Sequence, residues 1–69
     1  MSNHVYKITE VVGSSPDGLQ DAITNAITTT AQTVRNLDWF EVTEIRGHLV
    51  DGAVGDWQVG VKIGFRIDS

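Results

Sequence analysis

Two side chains in this sequence offer complementary chemistry toward a flat molecule with a polar edge. Trp39, in the run Leu37 to Val42 (LDWFEV), carries a large rigid apolar ring suited to stacking. Gln58 carries an amide that both donates and accepts hydrogen bonds, the pattern found on the edge of a planar heterocycle. Between them, Glu44 and Arg46 stand two residues apart as a carboxylate and a guanidinium. Whether these groups can act together depends on the strands that carry them.

The last stretch assigns the faces. Trp57, Val59, Val61, Ile63, Phe65 and Ile67 alternate with Gln58, Gly60, Lys62, Gly64 and Arg66, the period of a strand with one buried side. The odd positions face a core, and Gln58 belongs to the opposite face. In the preceding run, Phe40 and Val42 are apolar in one phase and Ile45 and Leu49 in the other, which a β-bulge near Thr43 reconciles. Phe40, Val42, Ile45 and Leu49 then lie under a covering element, while Trp39, Glu41, Glu44, Arg46 and His48 share the far face with Gln58. Gly60 and Gly64, in the same phase, would let a ring or a backbone approach that face closely.

The remaining elements follow from local signals. Val5 to Val12 is rich in β-branched residues and stops at Gly13, a first strand. Ser14 and Ser15 before Pro16 and Asp17 predict a helix start with a hydroxyl cap, a proline at the first position and a carboxylate at the positive end of the dipole. Leu19, Ala22, Ile23, Ala26, Ile27, Ala31 and Val34 form one apolar stripe down roughly five turns, closed by Arg35. Asp51-Gly52 joins a strand from Trp39 to Val50 with one from Val54 to Ile67 as a hairpin. The expected fold class is α+β: one β-α-β-β domain over residues 1–69, with a three-stranded antiparallel sheet partly wrapping one helix.

A chain of 69 residues is near the limit at which one core holds a fold. It has no cysteine, and its two histidines, His4 and His48, do not suffice for a structural metal site. Oligomerisation is the reinforcement left. A net charge of -4 has the wrong sign for binding a phosphate backbone or an anionic membrane. The amino terminus has no apolar stretch after a basic start, so a cytoplasmic protein is expected. Nucleophile elbows, phosphate-cradling loops and metal spacings are missing from the sequence, and GSSPDG at Gly13 to Gly18 reads as a capping turn, so no enzyme is expected. The plainer reading of Trp39 is a residue packed between subunits of an assembly that holds no cofactor. Glu44 and Arg46 would then be a surface ion pair, and Trp57 part of the core.

Three segments, VYKITEVVGSSPDGLQDAI, LDWFEVTEIRGHLVDGAV and WQVGVKIGFRID, together resemble the dodecins, small flavin-binding proteins, over nearly the whole chain. The resemblance implies a hollow homododecamer that holds FMN, riboflavin or FAD in pairs between protomers related by a two-fold axis. It implies that Trp39 stacks on the isoalloxazine ring and quenches its photochemistry, and that Gln58 bonds the ring's polar edge. Glu44 matches an acidic position near the ribityl chain. Arg46, on the same face, suits a flavin phosphate because a guanidinium binds phosphate bidentately, which favours FMN. Some bacterial members also hold coenzyme A. Asp56 stands where similar sequences often carry histidine, at the edge of the implied pocket.

Overall fold

The structure is a computed structural model that describes residues 3–67; residues 1, 2, 68 and 69 of the expected domain lie outside the described residues. Four elements follow in the order β1 (Tyr6–Ser15), α1 (Leu19–Ala31), β2 (Leu37–Val50) and β3 (Ala53–Arg66). The sheet is antiparallel with β3 in the middle, in the order β1-β3-β2. Asp51 (φ 51°) and Gly52 (φ 78°) both have the positive φ that a two-residue type I′ hairpin turn demands. The expected bulge is present, as a shift of register between Val42 and Glu44. Among the described residues no helix is long and apolar enough to cross a membrane.

Alternation along β3 sorts the side chains as expected. Val59, Val61 and Ile63 are buried against Ala22 and Ala26 of α1, with Val11, Leu19, Ile23, Ile27 and Leu37 packed around them. Two apolar partners are alanines because the helix lies very close to β1. A Cβ on Gly13 would run into the carbonyl oxygen of Ala22 and come within 2.7 Å of Ala26 Cβ. Gly13 therefore does not stop β1; the strand continues through it to Ser15. The breaker signal came from packing demand, not from a turn.

The helix boundaries also differ from the expected ones. The N-cap is Gly18, at φ 150°, with no side-chain cap, so Pro16 and Asp17 precede the helix. Ser15 acts one turn earlier. It is 3% exposed, accepts the Asp17 N–H at 3.0 Å, and donates from Oγ to Asp21 Oδ2 at 2.6 Å. The hydroxyl thus ties the strand end to a carboxylate placed in the first turn, where the dipole favours it. Ser15→Ala should remove two part-buried hydrogen bonds, the one it donates to Asp21 and the one it accepts from the Asp17 N–H, and cost about 1–2 kcal/mol in a urea titration; a change within about 0.3 kcal/mol would remove this role from the hydroxyl. At the other end α1 stops at Ala31, leaving Val34 and Arg35 beyond it. Thr30 Oγ1 bonds back to Ala26 O at 2.8 Å there, a local alternative that weakens the last turn.

The helix covers β1 and β3 and leaves β2 outside. Thirteen residues of helix span about 20 Å, whereas the fourteen-residue strands of the hairpin run on for about 45 Å. Phe40 does pair with Ile63 on the helix side, yet it is 51% exposed because α1 does not reach it. Val42, Ile45 and Leu49 are exposed on that side for the same reason, and Trp57 is half-buried rather than core. Face was assigned correctly; cover was not. The radius of gyration is 14.4 Å, against about 11 Å for a compact domain of this length. The surface is 4972 Å², against roughly 4,200 Å² expected for a monomer of this mass. The excess lies in a hairpin with apolar side chains on show.

Candidate functional site

The face of the sheet opposite the helix carries every residue expected to bind a ligand. Register builds it in rows across β1, β3 and β2: Ile8-Gly64-Trp39, Glu10-Lys62-Glu41, Val12-Gly60-Glu44 and Ser14-Gln58-Arg46. His48 and Asp56 form the next pair toward the turn. The face has an aromatic end and a polar end.

At the aromatic end, Trp39 is 40% exposed and lies flat on its own sheet. A Cβ on Gly64 would overlap Cε2 and Cζ2 of the indole and stand 2.6 Å from Nε1. The ring that approaches Gly64 is therefore Trp39 of the same chain, not an incoming one. One face of the indole is used against the strand, and the other is turned outward. Ile8, the cross-strand neighbour of Gly64, is half exposed in the same row.

At the polar end, Arg46 joins the two other expected residues. Its Nε donates to Gln58 Oε1 at 3.1 Å, and its Nη1 lies 3.4 Å from Glu44 Oε1. The ion pair runs along β2 rather than between strands, since Glu44 and Arg46 are alternate residues of one strand on one face. Both side chains are well exposed, so the pair adds little to stability and serves to orient the guanidinium. Gly60 makes room for this arrangement. A Cβ there would come within 2.8 Å of Thr43 Oγ1 and 3.3 Å of Glu44 Oε1. Across the vacated surface Thr43 Oγ1 donates to Glu10 Oε2 at 3.3 Å, a link from β2 to β1 over the central strand. Asp56, next along β3, has a buried carboxylate oxygen, Oδ1, with no hydrogen-bond partner.

Trp39, Gln58, Arg46 and Glu44 thus share a face, but only the last three are in contact. Gly64, beneath Trp39, is six residues from Gln58 along β3, about 20 Å of extended strand. A single ring system is far shorter than that. The indole of Trp39 and the amide of Gln58 thus stand at opposite ends of the face, too far apart along it to meet across a single ring.

Sequence reasoning placed Trp39, Gln58, Glu44 and Arg46 on one face but missed the parts played by Gly64, Thr43 and Glu10. Glycine in phase with Gln58 signalled a close approach; it did not say by which ring, because that depends on the pairing of Gly64 with Trp39 after two irregularities in β2. Counted from the turn, the register shifts between His48 and Leu49 and between Val42 and Glu44 before it reaches Trp39.

Known proteins share both the sequence and this arrangement of the chain. The dodecin family profile matches residues 5–68. A dodecin of Thermus thermophilus is 47% identical over 65 residues, which cover 94% of each chain. The structure of dodecin from Streptomyces coelicolor superposes with a TM-score of 0.95 at 59% identity, covering 100% of this chain and 99% of that one. Dodecin from Streptomyces davaonensis gives 0.95 at 54% identity, over 99% and 100% of the two chains. With a match along nearly its whole length and the β-α-β-β protomer in common, this chain belongs to the dodecin family.

Proposed function

We propose that this protein stores and shields flavin: it assembles with copies of itself into a homododecamer and holds FMN in pairs where two protomers meet. The observation that carries the reading is the outward indole of Trp39 on a sheet face whose matching polar groups lie too far away on the same chain. A second protomer related by a two-fold axis brings its Gln58, Arg46 and Glu44 to the ring stacked on the first protomer's Trp39. Stacking supplies affinity, since an indole offers broad contact at low entropic cost. Gln58 supplies recognition of the isoalloxazine edge, and Glu44 lies beside the ribityl hydroxyls. An indole in contact with an excited flavin donates an electron and takes it back, which returns the flavin to its ground state before it reacts. No turnover is required for this role, and we assign none.

Arg46 separates FMN from riboflavin. Its bond to Gln58 holds the guanidinium plane in place, and a phosphate can accept from it bidentately. Arg46→Ala should weaken FMN about ten- to hundredfold, the range of a charge-assisted bond, and riboflavin far less. Equal losses for the two flavins would mean that Arg46 acts on the ring or on assembly instead.

The exposed Phe40, Val42 and Ile45 on the helix side of β2 favour assembly with or without a cofactor. An assembly module that binds nothing is therefore the second reading, and the mass of the particle does not separate the two. A fluorescence and visible absorption titration with FMN does. Saturable uptake with strongly quenched flavin emission is the expected result; an assembled particle that leaves FMN emission unchanged leaves only the second reading.

A further inference from the structure

The seating of Trp39 on Gly64 bears directly on how deep a stacking slot can be. The indole touches the strand through atoms of both its rings, Cε2, Cζ2 and Nε1, all of which a side chain at position 64 would displace. Gly64 is itself buried, so the atoms concerned are roofed by the indole rather than open to solvent. It lies near the C-terminal end of the central strand, where pairing with Ile8 on one side and Trp39 on the other holds its backbone in the sheet. The indole therefore stands at the lowest height above the sheet that the backbone permits.

We propose that Gly64 is the positioning residue of the flavin site: by carrying no side chain it sets the height of the Trp39 indole, and with it the gap that remains for a flavin ring between facing protomers. This rests on the flavin reading above. Stacked rings tolerate little change in spacing, because a gap of about 0.5–1 Å forfeits a quarter to a half of the dispersion attraction and overlap rises faster still. A single methyl group at position 64 lifts or tilts the indole by more than that tolerance. It touches neither the flavin nor the Gln58-Arg46-Glu44 group, which lies at the far end of the face.

The test uses Gly64→Ala alone and in combination with changes at Trp39, with FMN as the probe. In the parent background, Gly64→Ala should lower FMN affinity by roughly tenfold or more and restore part of the flavin emission. The indole emission of the ligand-free protein should shift to the red as the ring leaves its seat. In a Trp39→Phe background, whose smaller ring leaves room for the methyl group, the same change should cost less than about threefold, so the two positions are coupled. FMN binding by Gly64→Ala within about twofold of the parent would overturn the proposal. So would a loss of equal size in both backgrounds, which would assign the effect to the strand and not to the ring. If Gly64→Ala does not fold, the double variant with Trp39→Ala decides: recovered folding supports the indole seat, and a chain that still does not fold refutes it. A parent that takes up no FMN removes the flavin reading itself, a result distinct from any of these.

Discussion

Trp39→Ala is expected to abolish tight FMN binding while leaving the protomer folded. Stacking on an aromatic side chain is worth about 1–3 kcal/mol per ring, so one lost indole lowers affinity by roughly ten- to hundredfold. Flavin held in pairs loses a stacking surface at each of two related positions, and the effect should fall at the upper end. What flavin still binds should recover its fluorescence, because the electron donor has gone. The fold should survive because Trp39 is 40% exposed on the far face and takes no part in the core of Ala22, Ala26, Val59, Val61 and Ile63. Far-ultraviolet circular dichroism and native mass, measured beside the FMN titration, separate the outcomes. Unchanged affinity would show that stacking on Trp39 does not hold the flavin. Loss of the assembly in a protein whose parent binds no flavin would make Trp39 a subunit contact.

The largest effect on stability is expected at Gly13. In most overpacked cores a side chain finds some relief by turning about its own bonds. Here the atoms in the way are the Ala22 carbonyl oxygen, the Ala26 Cβ and the Ala26 backbone nitrogen, at 3.1 Å for the last, and none of them can rotate aside. The helix must lift off β1 as a body, opening the core beneath it. Overpacking costs about 1–3 kcal/mol where side chains can adjust, so Gly13→Val should exceed about 3 kcal/mol. For a domain of 69 residues with a stability of about 3–10 kcal/mol, that is a third or more of the total. A urea titration of the assembled protein should show the midpoint fall steeply or the folded baseline disappear. Gly13→Ala should lie between the parent and Gly13→Val. A Gly13→Ala protein as stable as the parent would mean that α1 and β1 are not held as closely as the structure has them.

Much of this fold could be read from the sequence because it depends on period and parity. Odd positions of β3 point under the helix and even ones point away, and a bulge near Thr43 was required by the change of phase between Val42 and Ile45. Parity placed Trp39, Gln58, Glu44 and Arg46 on one face. It carries no information on distance along the strand, so the gap of about 20 Å between Trp39 and Gln58 came only with the register. Cover was equally hidden. Phe40 has the phase of a core residue but lies beyond the reach of α1, and helix length is governed by termini whose signals here conflict. Pro16 and Asp17 suit a helix start, yet the buried Ser15 is drawn into a bond with Asp21 and the start moves to Gly18. Gly13 shows the converse error, since a residue selected by helix contact looks in the sequence like one selected by a turn.

The place of β3 in the sheet governs when this chain can acquire structure. β1 and β2 have no common edge, and each forms its backbone ladder with β3. The strand that joins them is also the last of the four elements in the chain. A chain growing from a ribosome therefore has no sheet to form until β3 has emerged, however long β1 and β2 have been free of the tunnel. An α1 exposed in that interval has neither the β3 surface to pack on nor a sequence strong in helix propensity, with three consecutive threonines at Thr28 to Thr30. Folding waits on the emergence of β3, so a chain that has yet to make it has little native structure through which to enter an assembly.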